Sequence, residues 1–400
     1  MESHEVALDA QLTSILGPVF DRERRVRART YARLRRLLTV AEVSLSLVYL
    51  LLWVVTPAAR SLGSWAVHHA PGRLLAALLA FLVVGSGLAV IDLLFGLLSH
   101  ALERRYGLST QGWEAWLTDW VKIVLIEGGL GAVAVVGIMY LASTGPPLWW
   151  LWGALAGAVV LLVLMVVAPV FIAPLFFHFE PLTDEALRQR FLALAERAGV
   201  PVVDVYRFDL STRTRAANAA VVGLGKTRRI IVGDTLLTSF TPEEAETILA
   251  HELAHHVHKD ILLSFLLEGV MLLLVFRVLA WVVQKVTGAW QVTPDDPALV
   301  PVVLLTFFLM QLLLSPLLNL WSRTRESLAD MFAVVLTGQG RTYARALARL
   351  ADQNLADLFP PTWYVWIFGS HPPLGERIAM ALAYDETTET KEESTHEPTT

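Results

Sequence analysis

Five consecutive residues, His251-Glu252-Leu253-Ala254-His255, carry the most specific chemistry in the chain. On a helix, side chains four apart share a face about 5–6 Å apart. Two imidazoles so spaced can both ligate one Zn²⁺ at about 2.0–2.1 Å. Glu252 can then lean over a water at the ion's open position. Zinc lowers the pKa of such a water to about 7, so Glu252 can take its proton as it attacks a carbonyl and pass that proton to the leaving amine. With histidine at 11 of 400 residues and glutamate at roughly 0.05, chance supplies about 0.015 matches to the pattern. The competing reading is a surface helix rich in His and Glu. Against it, a helix start precedes the motif: Thr241 is the cap, Pro242 takes the first helical position and Glu244 completes a capping box.

Catalytic zinc needs three protein ligands and an open position. The metzincin spacing would put glycine at 258 and histidine at 261, where this chain has His258 and Ile261. The alternative is a carboxylate from a second helix. The run Ser322-Arg-Thr-Arg-Glu326-Ser-Leu-Ala-Asp330 carries two acids four apart. Glu326 is the predicted third ligand, although its spacing alone also suits an exposed glutamate. Asp330 is predicted to accept the second N–H of a ligating histidine and fix its tautomer. His256 and His258 point off the ligand face and read as solvated. His68 and His69 read as bystanders in an external loop. By spacing, His371 in Ser370-His371-Pro-Pro-Leu-Gly-Glu-Arg377 is open between a structural and a catalytic role.

The elements that position these residues lie largely in a membrane. The chain is 55% hydrophobic and only 17% charged, against about 25% charged in average soluble chains. Six stretches are long enough to cross a bilayer: 37–55, 74–98, 121–141, 148–177, 261–283 and 299–320. The fourth opens with Trp149, Trp150 and Trp152, an expected interfacial belt, and carries Gly153 and Gly157, which could admit a neighbouring helix. Eight arginines precede the first span, and alternate loops are basic. The N-terminus, the 99–120 loop, the 178–260 segment and the C-terminus are therefore expected on the cytoplasmic side of the cell membrane. Residues 1–36 lack an apolar core after a basic start, so no signal peptide is expected. Asp92, Glu127, Glu268 and Arg277 lie inside spans and should face the bundle interior or a water-filled cavity.

The fold class expected is a polytopic α-helical membrane protein with a cytosolic α+β metalloprotease domain built from two inserts. Its segments are a cytosolic N-terminal segment (1–36), a four-span membrane domain (37–177), an insert with the His-Glu helix (178–260), two further spans (261–320), a second insert with the third ligand (321–384) and a disordered tail (385–400). In the first insert, Thr183-Asp184-Glu185 marks a helix start and Gly199 followed by Pro201 its stop. Val202–Phe208 reads as a strand, and 219–233 as a hairpin around a glycine turn. That turn holds Gly225-Lys226-Thr227, but position 220 is alanine where a phosphate loop needs glycine, and a strand follows, so no nucleotide is expected. Net charge −5 argues against a nucleic-acid partner. The absence of cysteine excludes disulfide scaffolds, zinc fingers and thiol proteases.

With these residues in view, the chain resembles the integral-membrane CAAX prenyl endopeptidases, zinc proteases of the gluzincin type. The resemblance rests on Tyr106-Gly-Leu-Ser109, Ala173-Pro-Leu-Phe176, Asn218-Ala219 with Gly223, Asp234-Thr235-Leu236, His251 to His255, Glu326 with Ala329-Asp330, and His371-Pro372 with Arg377. It implies helices enclosing a large water-filled chamber that the zinc faces. It further implies a strand at Asn218-Ala219 that pairs with the substrate backbone, an oxyanion-stabilising role for His371 and a supporting role for Arg377. Eukaryotic members resemble seven-span proteins; six spans make this chain similar to bacterial-type members. The expected function is zinc-dependent hydrolysis of peptide bonds in peptide or protein substrates, lipidated or membrane-bound ones among them. The alternatives are a membrane-protein quality-control protease and, motivated by the four charges inside spans, a transporter or scaffold with a vestigial metal site.

Overall fold

A computed structural model describes residues 22–144, 148–223 and 225–395. The N-terminal half opens with α1 (Arg22–Val55), a short α2 (Ala58–His69), α3 (Arg73–Tyr106), α4 (Trp113–Thr144) and α5 (Trp149–Val167). Four strands follow, interleaved with helices: β1 (Phe179–Pro181), α6 (Glu185–Arg197), β2 (Val205–Phe208), β3 (Ala219–Val222), β4 (Arg229–Gly233), α7 (Asp234–Ser239) and α8 (Pro242–Val257). The chain then returns through α9 (Asp260–Trp290) and α10 (Val300–Thr337) to α11 (Gly340–Gln353), α12 (Thr362–Phe368) and α13 (Leu374–Thr395).

Among the described residues six helices are long and apolar enough to cross a membrane, one for each predicted span. Most overshoot the apolar run. A 38-residue α10 is about 57 Å long at 1.5 Å rise per residue, nearly twice a roughly 30 Å hydrocarbon core. The boundaries expected at 36/37 and 320/321 therefore carry no break in structure: polar, helix-forming sequence simply continues the apolar helix. The run 148–177 is not one helix. It leaves α-geometry after Val167, through a π turn at Ala168–Ile172 and a 3₁₀ turn at Ala173–Leu175. Pro169 and Pro174 lack the N–H that an α-helix needs. The last helix continues past Asp385 to Thr395, where composition predicts disorder; extending a helix anchored at one end costs less than starting one. Residues 396–400, and all but the last residue of the first 22, lie outside the described set.

The spans form a closed ring: α1 packs on α3, α3 on α4, α4 on α5, α5 on α9, α9 on α10 and α10 back on α1. Their buried apolar contacts gather at one end, around Leu50, Ala80, Val84, Met139, Leu279 and Val303, where α2 also packs. The halves nearer the sheet and α8 are much less covered, and Asp92, Glu127 and Glu268 are exposed there. The α5–α9 contact uses the predicted glycines. A methyl on Gly153 would stand 2.4 Å from Phe276, and one on Gly157 would stand 3.5 Å from Leu272. Of the three tryptophans, Trp152 is exposed while Trp149 and Trp150 pack against the core.

The unit formed by the sheet and its flanking helices has its own core, from Phe191, Ile230, Leu249, Leu253, Ala333, Leu347 and Ile378. Its sheet runs β1-β2-β4-β3, with β2 and β4 parallel and the other pairs antiparallel. The predicted hairpin is β3–β4, pairing Ala219 with Val232. Gly223 closes it at φ +95°, and a Cβ there would meet the Thr227 carbonyl at 2.6 Å. Since β4 is interior, β3 is an edge strand.

Candidate metal centre and active site

Helix α8 starts with the predicted capping box: Thr241 accepts from the Glu244 N–H, and Glu244 accepts from the Thr241 N–H. Pro242 follows, and the helix carries His251 and His255 on one face. Their rings stand 5.1 Å apart at 89°. Glu326 arrives from α10. One donor atom each from His251, His255 and Glu326 lies within 4.8 Å of the others, the grouping of this kind found among the described residues. Glu326 Oε2 is buried and makes no well-aligned hydrogen bond, although His251 Nε2 is 3.2 Å away and His371 Nε2 3.4 Å. A buried anionic oxygen facing imidazole nitrogens suits a shared cation, and two imidazoles with one carboxylate are the donor set of a catalytic zinc.

Each histidine's other nitrogen has a carboxylate partner. His251 Nδ1 lies 2.9 Å from Asp330 Oδ1, as the spacing predicts. Asp330 is clamped by Arg377, whose Nε and Nη2 donate to it at 2.8 and 2.6 Å, and by the Tyr343 hydroxyl at 2.6 Å. Arg377 also donates to that hydroxyl. Burial and the Asp330 charge push the Tyr343 pKa well up, so the phenol stays a donor. The partner of His255 is Asp260, with Oδ2 2.9 Å from Nδ1. Arg325 Nε donates to the other Asp260 oxygen at 2.5 Å. Asp260 and Tyr343 escape sequence reasoning. On a continuous helix, residue 260 would lie about 140° round from 255. Lys259 instead adopts φ 57° and breaks the helix, and Asp260 comes to lie against His255. A lone tyrosine carries no signal of any kind.

Glu252 lies between two cavities. One, about 290 Å³, is lined by Asn218, Ala219, Ile248, His251, His371 and Arg377 among others. The second, about 350 Å³, is lined by Val221, His255, His256 and Asp260. The structure thus brings together every predicted site residue from four separate segments. His68 and His69 stand apart on α2. His256 and His258 differ from expectation, both being half-buried. His256 Nε2 is 3.0 Å from the Val221 carbonyl, and Arg228 Nε donates to its Nδ1. His258 packs edge-on against Phe332.

The strand edge is set by pairing. Gly233 N donates to the Asn218 carbonyl, so Asn218, Ala220 and Val222 turn their backbone polar groups to β4. Ala219 and Val221 turn theirs to the free edge. His256 takes the Val221 carbonyl. Asp234 and Thr235 anchor the approach to this strand: Asp234 accepts from Ser211 N at 2.8 Å, and Thr235 donates to the Ala216 carbonyl at 2.8 Å. The Tyr106-Gly-Leu-Ser109 turn joins α3 to the same loop, with Leu108 O accepting from Arg215 N.

The electrostatics divide the site. Burial disfavours a charged His251, but the Asp330 and Glu326 carboxylates facing its two nitrogens outweigh it and raise the pKa to about 9. Burial raises the Glu252 carboxyl, with His251 and His255 pulling it back. Burial, then the Arg377 and His251 charges, lower His371 against the attraction of Glu326.

Comparison with known proteins is consistent with this geometry. Residues 181–385 match the model of peptidase family M48, and residues 4–178 match that of the CAAX prenyl protease N-terminal region, described as five membrane helices. Four candidate spans fall in that segment among the described residues. The chain is 27% identical over 361 residues to an uncharacterized metalloprotease, YhfN, of Bacillus subtilis, covering 88% of this chain and 84% of that one. It is 32% identical over 298 residues to the CAAX prenyl protease 1 homolog of Oryza sativa (72% and 69% covered). It is 30% identical over 334 residues to CAAX prenyl protease 1 of Saccharomyces cerevisiae (76% and 72%). The crystal structure of S. mikatae Ste24p superposes with a TM-score of 0.79 at 24% identity, over 92% of this chain and 90% of that one. The chain accordingly belongs to the membrane-embedded CAAX prenyl protease group of peptidase family M48 and is a multi-pass membrane metalloprotease.

Proposed function

We propose that this protein is a zinc endopeptidase in which His251, His255 and Glu326 hold the ion and Glu252 is general base and general acid. The observation that carries the reading is the convergence of the three donors within 4.8 Å, beside a carboxylate that lines both flanking cavities. When bound, zinc supplies Lewis acidity that polarises the scissile carbonyl and acidifies water. Glu252 takes the proton from the attacking water and delivers it to the departing amine. The substrate backbone adds to the free edge of β3 at Ala219, with Asn218 beside it lining the cavity. Ser370 Oγ, 2.9 Å from His371 Nδ1, donates there and leaves the proton on Nε2. That N–H points toward Glu326 and is available to the developing oxyanion. Arg377 holds Asp330, which fixes the His251 tautomer through Nδ1.

The zinc site and both termini are assigned to the cytoplasmic side. Arg24, Arg27, Arg104 and Arg105 lie at the catalytic end of the spans, the pattern of positive-inside loops. The substrates are C-terminal segments of membrane-associated or lipidated proteins, which can approach through the poorly covered half of the helix ring. Two assays test the reading: metal content, expected at about one zinc per chain, and cleavage of prenylated peptides against unfolded membrane proteins. A metal-free preparation with full activity overturns the zinc assignment. Preference for unfolded membrane proteins replaces the substrate class with quality control.

A further inference from the structure

A sizeable cavity lies away from the metal centre. It has a volume of about 810 Å³ and lies where α1, the end of α3 and the Tyr106-Gly107-Leu108 turn meet the catalytic unit. Six arginine side chains line it. Arg24 is paired with Asp352 at 3.1 Å, and Arg349 with Glu244. Arg27, Arg104, Arg105 and Arg215 form no ion pair with a carboxylate among the described residues. Arg27 and Arg104 lie instead over the Tyr106 and Trp113 rings. Asp352 is the one carboxylate in the lining. The remaining polar lining is rich in hydroxyls, with Thr214, Thr238 and Ser239 among them.

We infer that this cavity binds a phosphate-bearing polyanion. Among the described residues, four guanidinium groups around one space have no carboxylate partner and repel each other, and the single carboxylate in the lining leaves most of that charge standing. Guanidinium forks match phosphate oxygens two at a time. The volume exceeds what free phosphate needs and lies in the range of pockets for small organic ligands. Its depth favours a lipid headgroup. Arg105 follows the apolar run ending at 98 by about 10 Å of helix, which puts it at or just beyond the headgroup layer. Basic pockets between spans at that level take anionic headgroups. The occupant would touch both the membrane helices and the loop holding Arg215, just before the β3 edge.

The test uses the full chain in phosphatidylcholine nanodiscs. Three probes are titrated: dioctanoyl phosphatidylinositol bisphosphate, dioctanoyl phosphatidylcholine and inorganic pyrophosphate. Binding is read by native mass spectrometry and thermal shift. The bisphosphorylated lipid is expected to bind at one per chain, and phosphatidylcholine is not. The Arg105→Gln/Arg215→Gln variant should lose affinity at least tenfold, and Arg60→Gln, at the far end of the spans, should lose none. Pyrophosphate binding as tightly as the lipid identifies a soluble phosphate ligand within the same inference. If the double variant fails to fold, Arg105→Gln alone is expected to weaken binding in the same direction. The inference is overturned if neither phosphate probe binds, or if the cavity variants bind as well as Arg60→Gln.

Discussion

Asp260 Oδ2 lies 2.9 Å from His255 Nδ1, the counterpart of Asp330 at His251. Each of these carboxylates is held by its own arginine, Arg325 for Asp260 and Arg377 for Asp330. Both histidines thus receive the same support from different helices: one acid at the start of α9, the other four residues beyond Glu326 on α10. Substitution Asp260→Asn should lower zinc affinity about 10–100-fold, the usual cost of losing such a partner. Competition with a chromophoric chelator measures it. Unchanged affinity would show that Asp260 only caps the turn at Lys259.

Glu252→Gln keeps the shape of the side chain and removes its basicity. Peptide hydrolysis should fall by about 10²–10⁴-fold, with zinc stoichiometry and melting temperature close to those of the parent. Retained hydrolysis would move the proton-transfer role to another group.

Metal affinity should depend steeply on pH through His251. Its pKa in the metal-free protein is raised to about 9, against about 6.5 in the unfolded chain. A raised pKa means the imidazolium stabilises the metal-free fold fully below about pH 6.5, and that this contribution is lost as pH rises through about 9. Zinc must displace the same proton, so its affinity should climb across that window. Isothermal titration at pH 6.5, 7.5 and 8.5 checks the slope, and metal-free melting temperatures should move the opposite way. A flat affinity profile would contradict the coupling.

Arg377 and Asp330 are both buried, at 8% and 1% exposure, so removing one leaves the other's charge without its partner. Arg377→Met should destabilise the catalytic unit by about 3–5 kcal/mol. Arg377→Lys keeps the charge but loses the two-pronged contact, and should fall between parent and Met variant. Chemical denaturation in detergent resolves the order.

His256 blocks one carbonyl on the free edge of β3. His256→Phe fills similar space without donating to Val221 O. The freed carbonyl should let a substrate strand extend further, which mass spectrometry of cleaved peptide libraries would register as a shifted length preference with little change in zinc content. An unaltered cleavage pattern would assign His256 to packing alone.

The sequence by itself determined the features that depend on neighbours along the chain. Apolar run length sets the six spans, since a bilayer demands about 20 residues of helix. The four-residue repeat puts His251 beside His255 and Glu326 beside Asp330, because a helix turns every 3.6 residues. Thr241, the Thr183-Asp184-Glu185 run and a glycine turn within 219–233 mark two helix starts and a hairpin through local backbone chemistry. Only the tertiary structure decided how α8, α10 and the segment before α13 meet, so that His251, Glu326, His371 and Arg377 share one site. The partner of His255 came from a left-handed residue at Lys259, and that of Asp330 from Tyr343 on α11. Neither follows a periodicity, and both exist because packing holds distant helices in one arrangement.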